Sequence, residues 1–249
     1  MQDSVDGHPI VVKALRKSFS GRTVLNGIDL QVETGETVAL LGRSGTGKSV
    51  FLKLLIGLQL PDSGSIRLCG REIPALGLNQ LNEVRMRVGF LFQQAALYDS
   101  LTVEENVAFP LERHTKLTAV ERERRVKELL ASVGMQQDLK KMPSQISGGM
   151  QKRVGLARAL ALDPEILLFD EPTSGLDPIT ASEIAQLIRA LKERRRLTAI
   201  VVTHDIHSAR TFADRLVLMH DGNIVIEGTI ESLQNSRDEF VVRFLGEAA

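Results

Sequence analysis

The sequence predicts an α/β fold in which helices cover both faces of a mostly parallel sheet. Predicted strands and helices alternate along most of the chain, which is typical of parallel α/β architectures. Two short runs, Thr37–Leu41 and residues 166–169, are almost entirely apolar, as strands buried on both faces are. A glycine-rich segment follows the first run and leads into a helical pattern. Ligands of such folds bind at the carboxyl edge of the sheet, where this segment is expected.

A small antiparallel β subdomain is predicted ahead of this core. Across residues 10–35 apolar and polar residues alternate, and turn signals occur at Ser20-Gly21 and Asn26-Gly27. A strand-and-turn stretch follows as far as Gly70. The remaining strands are expected at residues 88–92, 166–169, 197–202, 215–219 and 223–227.

The pattern becomes helical between residues 93 and 146, which separates the glycine-rich segment from the next core strand. Thr118 predicts a helix N-terminus, because Glu121 three positions later completes a capping box. We expect one domain over residues 1–249, with a helical subdomain inserted at about 94–147 and a C-terminal tail at 236–249. Further helices are expected at residues 50–56, 121–133, 148–162, 179–195 and, weakly amphipathic, 237–245.

Composition excludes several classes of protein. The 249 residues contain 31 Lys and Arg and 31 Asp and Glu, so the chain has no electrostatic footprint for nucleic acid. The only cysteine, Cys69, is expected to be a small core residue and not a nucleophile. The N-terminus is polar and acidic, unlike a signal peptide, and no apolar run approaches the roughly 20 residues that span a bilayer. We therefore expect a cytoplasmic protein that reaches a membrane through a partner.

The glycine-rich segment follows the phosphate-binding P-loop pattern, G-x-x-x-x-G-K-[ST]. Its residues are Gly42, Arg43, Ser44, Gly45, Thr46, Gly47, Lys48 and Ser49. Glycines let backbone N–H groups turn inward, and the following helix adds partial positive charge where phosphates lie. Lys48 supplies a cation for the β- and γ-phosphates, and Ser49 supplies a hydroxyl for Mg²⁺. The motif predicts a P-loop NTPase.

Two acids, Asp170 and Glu171, end the second apolar run. Asp170 is placed to hold Mg²⁺, directly or through water, and Glu171 to orient or deprotonate an attacking water. An acidic turn after a buried strand is a common arrangement, but the P-loop earlier in the chain favours the catalytic interpretation.

A third motif opens a helix with Ser147, Gly148 and Gly149. Ser147 is a favourable N-cap. The two glycines weaken a helix by up to about 1 kcal/mol each, yet they let a phosphate approach the N–H groups closely. By itself this motif is not rare.

Taken in order, these motifs resemble the ATP-binding-cassette (ABC) ATPases, the nucleotide-binding subunits of ABC transporters. The resemblance covers nearly the whole chain. The family's motifs correspond to the P-loop, the Q-loop residue Gln93, the signature motif at 146–150, the Walker B strand at 166–171, the D-loop at 174–177 and the switch residue His204.

The resemblance implies a head-to-tail dimer of two copies that closes two ATP molecules between them. Ser147 and Gly149 would contact the γ-phosphate of the partner's nucleotide, which accounts for the glycine pair. The residues implied in catalysis are Glu171, His204 and Gln93. Those implied at Mg²⁺ are Ser49, Gln93 and Asp170. Those implied at ATP are Phe19 (on adenine), Gly42, Arg43, Ser44, Gly45, Thr46, Gly47, Lys48, Ser49, Val50, Ser147, Gly148, Gly149 and Asp177. The other histidines, including His220, have no such correspondence.

Finer features resemble the ATPases of Mla/MCE systems, which include toluene-tolerance and organic-solvent-resistance ATPases. Ile146 and Met150 replace the first and last residues of the usual LSGGQ signature, and Val50 stands where many relatives have a hydroxyl residue. Other matching stretches are 96–98, 106–111, 152–153 and 177–180. This resemblance implies phospholipid transport between the inner and outer membranes of a bacterium. The implied partners are permease subunits, periplasmic MCE-domain subunits and a STAS-domain protein, with the chain peripheral on the cytoplasmic side of the inner membrane and held by the permease.

Two other functions stay open. The cargo could be an amino acid or another small solute, carried by an importer. A cassette of DNA repair, translation or iron–sulfur assembly is the other class, but the chain has neither a long coiled-coil insert nor a second cassette. The tail leaves a structural question open. Its apolar side chains could pack on a neighbouring copy or on their own domain, and these side chains are Phe240, Val241, Phe244 and Leu245.

Overall fold

A computed structural model describes residues 7–247 of the protein. These residues form ten strands in two sheets and nine α-helices. The strands are β1 (Ile10–Phe19), β2 (Arg22–Val32), β3 (Thr37–Leu41), β4 (Ser63–Leu68), β5 (Arg71–Glu72), β6 (Val88–Leu91), β7 (Ile166–Asp170), β8 (Thr198–Thr203), β9 (Arg215–His220) and β10 (Asn223–Gly228). The helices are α1 (Lys48–Leu55), α2 (Leu78–Met86), α3 (Val103–His114), α4 (Ala119–Ser132), α5 (Gly148–Ala159), α6 (Pro178–Arg195), α7 (Ile206–Phe212), α8 (Ile230–Gln234) and α9 (Glu239–Glu247). The acidic N-terminus at 1–6 and the end of the predicted tail lie outside the described residues.

The larger sheet has six strands in the order β10-β9-β3-β8-β7-β6. All neighbours pair in parallel except β10, which is antiparallel to β9. The predicted, mostly parallel core sheet is therefore confirmed. Because β3, β7, β8 and β9 run parallel to one another, their carboxyl ends lie at one edge of the sheet.

Core strands are buried on both faces, which explains their almost continuous apolar sequence. In β3, Val38 and Leu40 pack in one apolar cluster while Ala39 and Leu41 pack in the other. One cluster includes α1 and the smaller sheet, and the other includes α5, α6 and α7. With both faces covered by apolar clusters, polar side chains can gather at the edge of the sheet, where the strands end.

The smaller sheet is antiparallel, in the order β2-β1-β4-β5. Its first hairpin turns at Ser20-Gly21, where both residues have positive φ, 48° and 79°. This confirms the antiparallel subdomain predicted ahead of the P-loop. The hairpin brings the start of β2 beside the carboxyl edge of the core sheet.

Within the predicted helical region, the expected start was wrong. Helix α3 begins at Val103, whereas residues 93–101 are irregular and Ala95 and Ala96 take left-handed backbone conformations, with φ of 57° and 48°. The capping box of α4 is confirmed, since the N–H of Glu121 donates to Thr118 Oγ1 and the N–H of Thr118 donates to the Glu121 carboxylate. Helices α2, α7 and α8 were not predicted.

Helix α5 ends at Ala159, earlier than the predicted residue 162. Asp163 precedes Pro164 and has a φ of 50°. Past Ala159 the helix gives way to a tighter turn, in which the N–H of Asp163 donates to the carbonyl oxygen of Leu160 at 3.1 Å, and Pro164 then keeps the chain from resuming the helix.

Helix α9 of the tail packs on its own domain. Val241 is fully buried, Phe244 is 6% exposed, and both belong to the apolar cluster that holds Leu233 of α8. The ring of Phe240 stacks on His220 at a centroid distance of 3.7 Å. Of the two arrangements left open by the sequence, the described chain adopts the intramolecular one.

The composition led to two expectations, one about Cys69 and one about membrane-spanning segments. Cys69 is buried, and desolvation raises the pKa of its thiol to about 11, which confirms it as a core residue. Across residues 7–247, none of the helices combines the length and apolar character needed to cross a membrane.

Candidate nucleotide site

The P-loop, residues 42–49, connects β3 to α1 at the carboxyl edge of the core sheet. Gly42 and Gly47 have φ of 156° and 97°. A Cβ at Gly42 would lie 2.7 Å from the carbonyl oxygen of Met219, and one at Gly47 would lie 2.8 Å from Leu25 Cδ2. Only glycine fits both the backbone conformation and the available space at these two positions. Gly47 caps α1 without a side-chain acceptor, which leaves N–H groups of the first turn for an anion.

Lys48 lies inside this loop and is 5% exposed. Its Nζ donates to the carbonyl oxygens of Gly42, at 2.7 Å, and Arg43, at 3.0 Å. The same Nζ is 3.7 Å from Glu171 Oε1. The P-loop cation and the acid after β7 are thus neighbours in space, although they lie far apart in the sequence.

Ser49 and Asp170 are in direct contact, because Ser49 Oγ donates to Asp170 Oδ1 at 2.7 Å. A hydroxyl and a carboxylate are the oxygen donors that Mg²⁺ prefers, and Mg²⁺ usually takes one or two carboxylates together with substrate phosphates. Among the described residues no group of three or more His, Cys, Asp and Glu side chains is arranged to hold a metal. By its chemistry, the donor set at Ser49 and Asp170 fits a Mg²⁺ ion that arrives with a nucleotide.

Glu171 and His204 form the other close pair. Nδ1 of His204 is 2.9 Å from Glu171 Oε2 and acts as the donor when the acid is a carboxylate. Glu171 is 8% exposed, whereas the His204 side chain is 53% exposed. The backbone of Glu171 is left-handed, with a φ of 49°. A non-glycine residue in this conformation costs about 1–3 kcal/mol and is found where surrounding structure imposes it, often at functional sites.

Two buried lysines lie near the acids. Burial lowers the pKa of Lys48, and the negative charges of Glu171 and Asp170 act in the opposite direction. Burial also lowers the pKa of Lys152, to about 8, again against the effect of Asp170 and Glu171. Both cations are stabilised by the acids that they adjoin.

An open cleft of about 870 Å³ lies over the P-loop. Its lining contains seven of the eight predicted P-loop residues together with Val50, Gln93 and Glu171. It also contains residues that the sequence analysis missed, namely Arg22, Thr23, Val24, His220, Asp221 and Gly222. These come from the start of β2, the end of β9 and the turn between β9 and β10. The pairing of β9 with β3 places His220 and the following turn there, and β2 is held beside this turn by the N–H of Asn26, which donates to the carbonyl oxygen of Gly222 at 2.8 Å. Only knowledge of the strand order could have indicated this arrangement.

Gln93 and His204 reach the site from two sides. Gln93 lines the cleft, and its Nε2 is 3.5 Å from Ser174 Oγ. His204 lines a smaller adjoining pocket of about 460 Å³ that Arg43 and Ser44 share with the cleft. The predicted residues of the P-loop, Q-loop, Walker B strand and switch are thus brought together within one chain.

The signature motif lies elsewhere. Ser147 caps α5, since the N–H of Met150 donates to Ser147 Oγ at 3.2 Å. Ser147, Gly148 and Gly149 are not among the described residues that line the cleft. A Cβ at Gly149 would lie 2.4 Å from Thr180 Cγ2, so the contact between α5 and α6 requires a glycine there, while Gly148 has ordinary space. The second glycine therefore has a packing reason that the sequence did not reveal.

Asp177 and Phe19 also lie outside the lining of their own chain's cleft. Asp177 caps α6 by accepting from the N–H of Thr180 at 3.0 Å, and the Thr180 hydroxyl holds the pKa of Asp177 below its usual range. Phe19 ends β1, is 41% exposed and has Lys17 Nζ 5.2 Å from its ring centre. Contacts of these two residues with a nucleotide stay predictions.

Comparison with known proteins agrees with this geometry. The ABC transporter family matches residues 25–174. The "Probable ribonucleotide transport ATP-binding protein mkl" of Mycobacterium leprae is 45% identical over 96% of this chain and 69% of its own. The intermembrane phospholipid transport system ATP-binding protein MlaF of Haemophilus influenzae is 42% identical over 95% of this chain and 89% of its own. The methionine import ATP-binding protein MetN of Brucella abortus is 41% identical over 89% and 60%.

Solved structures give the same assignment. The dimeric, post-hydrolysis structure of the ATP-binding cassette MJ0796, bound to ADP and Pi, superposes with a TM-score of 0.82 and 34% identity, over 89% of this chain and 98% of that one. The chain therefore belongs to the ABC transporter family and is an ATP-binding subunit that hydrolyses ATP.

Proposed function

We propose that this chain powers the movement of phospholipid between the inner and outer membranes of a bacterium. The assignment of phospholipid as the cargo rests on the similarity to MlaF, which extends over nearly all of both chains at 42% identity. The signature variant at Ile146 and Met150 supports the same subgroup.

Within each chain, we assign the binding of the triphosphate to the P-loop residues and Val50. The backbone N–H groups of residues 42–49 and the Lys48 ammonium neutralise the phosphates, and Phe19 stacks on adenine. Ser49 and Asp170 hold Mg²⁺, with Gln93 as a further ligand. When bound, Mg²⁺ supplies charge neutralisation at the β- and γ-phosphates.

Hydrolysis is an in-line attack by water on the γ-phosphorus. Glu171 accepts the proton of the water as the new P–O bond forms, and the bond from phosphorus to the bridging oxygen breaks, so that ADP leaves with the electron pair. His204 binds the γ-phosphate and orients the Glu171 carboxylate. The contacts of Glu171 with His204, at 2.9 Å, and with Lys48, at 3.7 Å, support this assignment.

The signature motif acts across a dimer in this proposal. Ser147, Gly148 and Gly149 of one copy, with its Asp177, complete the nucleotide site of the other. Their position away from the cleft of their own chain and the dimeric form of the similar MJ0796 cassette support this arrangement. The helical subdomain at about 94–147 then carries the signature motif toward the partner, within one domain over residues 1–249.

The remaining partners follow from the subgroup. Two copies of the chain act with membrane permease subunits, and the permease holds them on the cytoplasmic side of the inner membrane. Periplasmic MCE-domain subunits and a STAS-domain protein complete the complex. Specificity for lipid resides in the permease and MCE subunits, so the chain itself does not contact the cargo.

The test is a pull-down of the tagged full-length chain from detergent-solubilised membranes of the native host. We expect a permease and an MCE-domain protein to copurify, with phospholipid detected by mass spectrometry. The Lys48→Ala variant is the control, because it should assemble the same complex while lacking ATP-driven transfer. Capture of a permease without any MCE-domain protein or phospholipid would contradict the lipid assignment.

A second candidate is the import of an amino acid or another small solute. The 41% identity to the methionine import protein MetN favours it, although the match covers only 60% of that protein. In that case the same pull-down recovers a permease whose transport depends on a periplasmic solute-binding protein.

A further inference from the structure

Lys152 on α5 is a buried cation that belongs to a stretch matching the Mla/MCE ATPases but has no role assigned to it by the sequence. It is 5% exposed, and its Nζ donates to the backbone carbonyl oxygen of Gln93 and, at 3.2 Å, to that of Glu171. Burying a charge is costly unless it is paired or hydrogen-bonded, so these two contacts maintain the ammonium in place. Each carbonyl belongs to a residue that lines the cleft.

The segment at 93–96 is attached to α5 at a second point. The Arg158 guanidinium donates to the carbonyl oxygens of Ala95, at 2.7 Å, and Ala96, at 2.8 Å. Between the two cations, a Cβ at Gly155 would lie 3.2 Å from Ala95 Cβ, so the segment lies directly against the helix. Helix α5 therefore binds this segment along the helix surface, and Lys152 provides the contact nearest the cleft.

The Glu171 contact bears on an unusual backbone. Glu171 has a φ of 49°, and its carbonyl oxygen accepts from Lys152 Nζ and from the N–H of Ser174 at 3.2 Å. The carboxylate of the same residue contacts His204 and Lys48. Because the backbone conformation determines where the side chain leaves the chain, a donor that fixes the carbonyl also fixes the direction of the carboxylate.

We propose that Lys152 is a positioning residue for ATP hydrolysis, which binds the main chains of Gln93 and Glu171 to the signature helix. It acts through these two residues and does not contact the nucleotide. Any displacement of α5, whose N-terminus carries Ser147, is then transmitted to both side chains together. The inference rests on the roles proposed above for Gln93 and Glu171.

The test compares Lys152→Met, which removes the charge but keeps the length, with Lys152→Arg, which keeps a cationic donor. Lys192→Met is a matched control, since Lys192 also donates to a backbone carbonyl, that of Phe212, and lies on α6. Steady-state hydrolysis and ATP affinity are measured on the full-length proteins. We expect kcat of Lys152→Met to fall by about tenfold to a hundredfold with ATP affinity changed by less than about twofold, because a small misplacement of catalytic groups acts on the chemical step.

We expect Lys152→Arg to recover most of the turnover and Lys192→Met to match the parent. A merely structural role would instead lower the melting temperature and ATP affinity together, without recovery by arginine, and would overturn the proposal. Unchanged kcat in Lys152→Met would also overturn it. If Lys152→Met does not fold, Lys152→Gln, which keeps a shorter neutral donor, is measured in its place under the same criteria.

Glu171→Gln is measured in parallel, so that failure of the inference about Lys152 is distinguished from failure of the catalytic role proposed for Glu171. If Glu171→Gln loses turnover and Lys152→Met does not, the inference alone fails. If Glu171→Gln hydrolyses ATP like the parent, the proposed catalytic assignment fails and the inference fails with it.

Discussion

Lys48 shows how a buried cation is kept ready for an anion at the scale of one residue. Its Nζ contacts two loop carbonyls and the Glu171 carboxylate, all within 3.7 Å. The bonds of Lys48 to the carbonyls already gain from the charge of the ammonium, and a phosphate oxygen, which is itself charged, adds the Coulomb attraction between opposite charges. A triphosphate therefore offers Lys48 a better partner than the carbonyls do.

Replacing Lys48 by alanine should lower ATP affinity by about tenfold to a hundredfold, because a charge-assisted hydrogen bond contributes roughly 1.5–3 kcal/mol. Titration with a fluorescent nucleotide measures the change. Lys53→Ala is the control, since Lys53 lies on the same helix outside the cleft lining and should bind like the parent. Equal affinity of the Lys48 variant and the parent would contradict the role of Lys48.

At the scale of elements, the start of α5 serves both packing and function. Ser147 caps the helix, and Gly149 lies against Thr180 at the start of α6. The diglycine was explained from the sequence by the approach of a phosphate. The structure adds that the second glycine is needed for the contact of two helices whatever the nucleotide does.

Gly149→Ala should lower the free energy of unfolding by about 1–3 kcal/mol, because its new methyl overlaps Thr180 Cγ2. Thermal unfolding of the nucleotide-free protein measures this change. Adding Thr180→Ser should restore most of the stability, since serine lacks that methyl but keeps the hydroxyl that donates to Asp177. Gly148→Ala has room for its methyl and should leave the melting temperature unchanged, so equal losses in the two alanine variants would contradict this explanation.

For the whole molecule, the order of the core strands decides what the cleft contains. The carboxyl ends of β3, β7, β8 and β9 converge, which brings Lys48, Glu171, His204 and His220 to one edge. The signature motif lies outside this cleft, so one chain holds only part of the proposed site. In the proposed function, a second copy completes it.

Glu171→Gln should keep ATP binding but lower turnover by at least about a hundredfold, because an amide cannot accept the proton of the water. Since hydrolysis no longer separates the copies, size-exclusion chromatography with ATP should show a dimer. The double variant with Lys48→Ala is the control and should stay monomeric. A Glu171→Gln protein that remains monomeric at saturating ATP would argue against the two-copy site.

Helix α9 of the tail also belongs to the packing of the whole molecule, because its Val241 and Phe244 are part of one apolar cluster of the domain. Phe244→Ala should lower the free energy of unfolding by roughly 3 kcal/mol, since Phe244 is 6% exposed. Val242→Ala, at a side chain that is 54% exposed, should change it little. Chemical denaturation measures both, and equal effects would show that α9 does not pack on its own domain in solution.

The sequence alone determined the features that depend on neighbouring residues. The glycines of the P-loop, the Ser147 cap and the Thr118–Glu121 capping box each follow from residues a few positions apart. The acidic end of an apolar strand indicated Glu171, and the resemblance to the ABC ATPases indicated His204. The tertiary structure decided which distant segments meet. The order of the core strands places His220 at the cleft, and the contact between the two sheets places Arg22 there. Packing against α6 explains why residue 149 is a glycine, and Lys152 joins two loops that are far apart in the chain. Such contacts depend on how sheets and helices stack, which no local pattern of residues specifies.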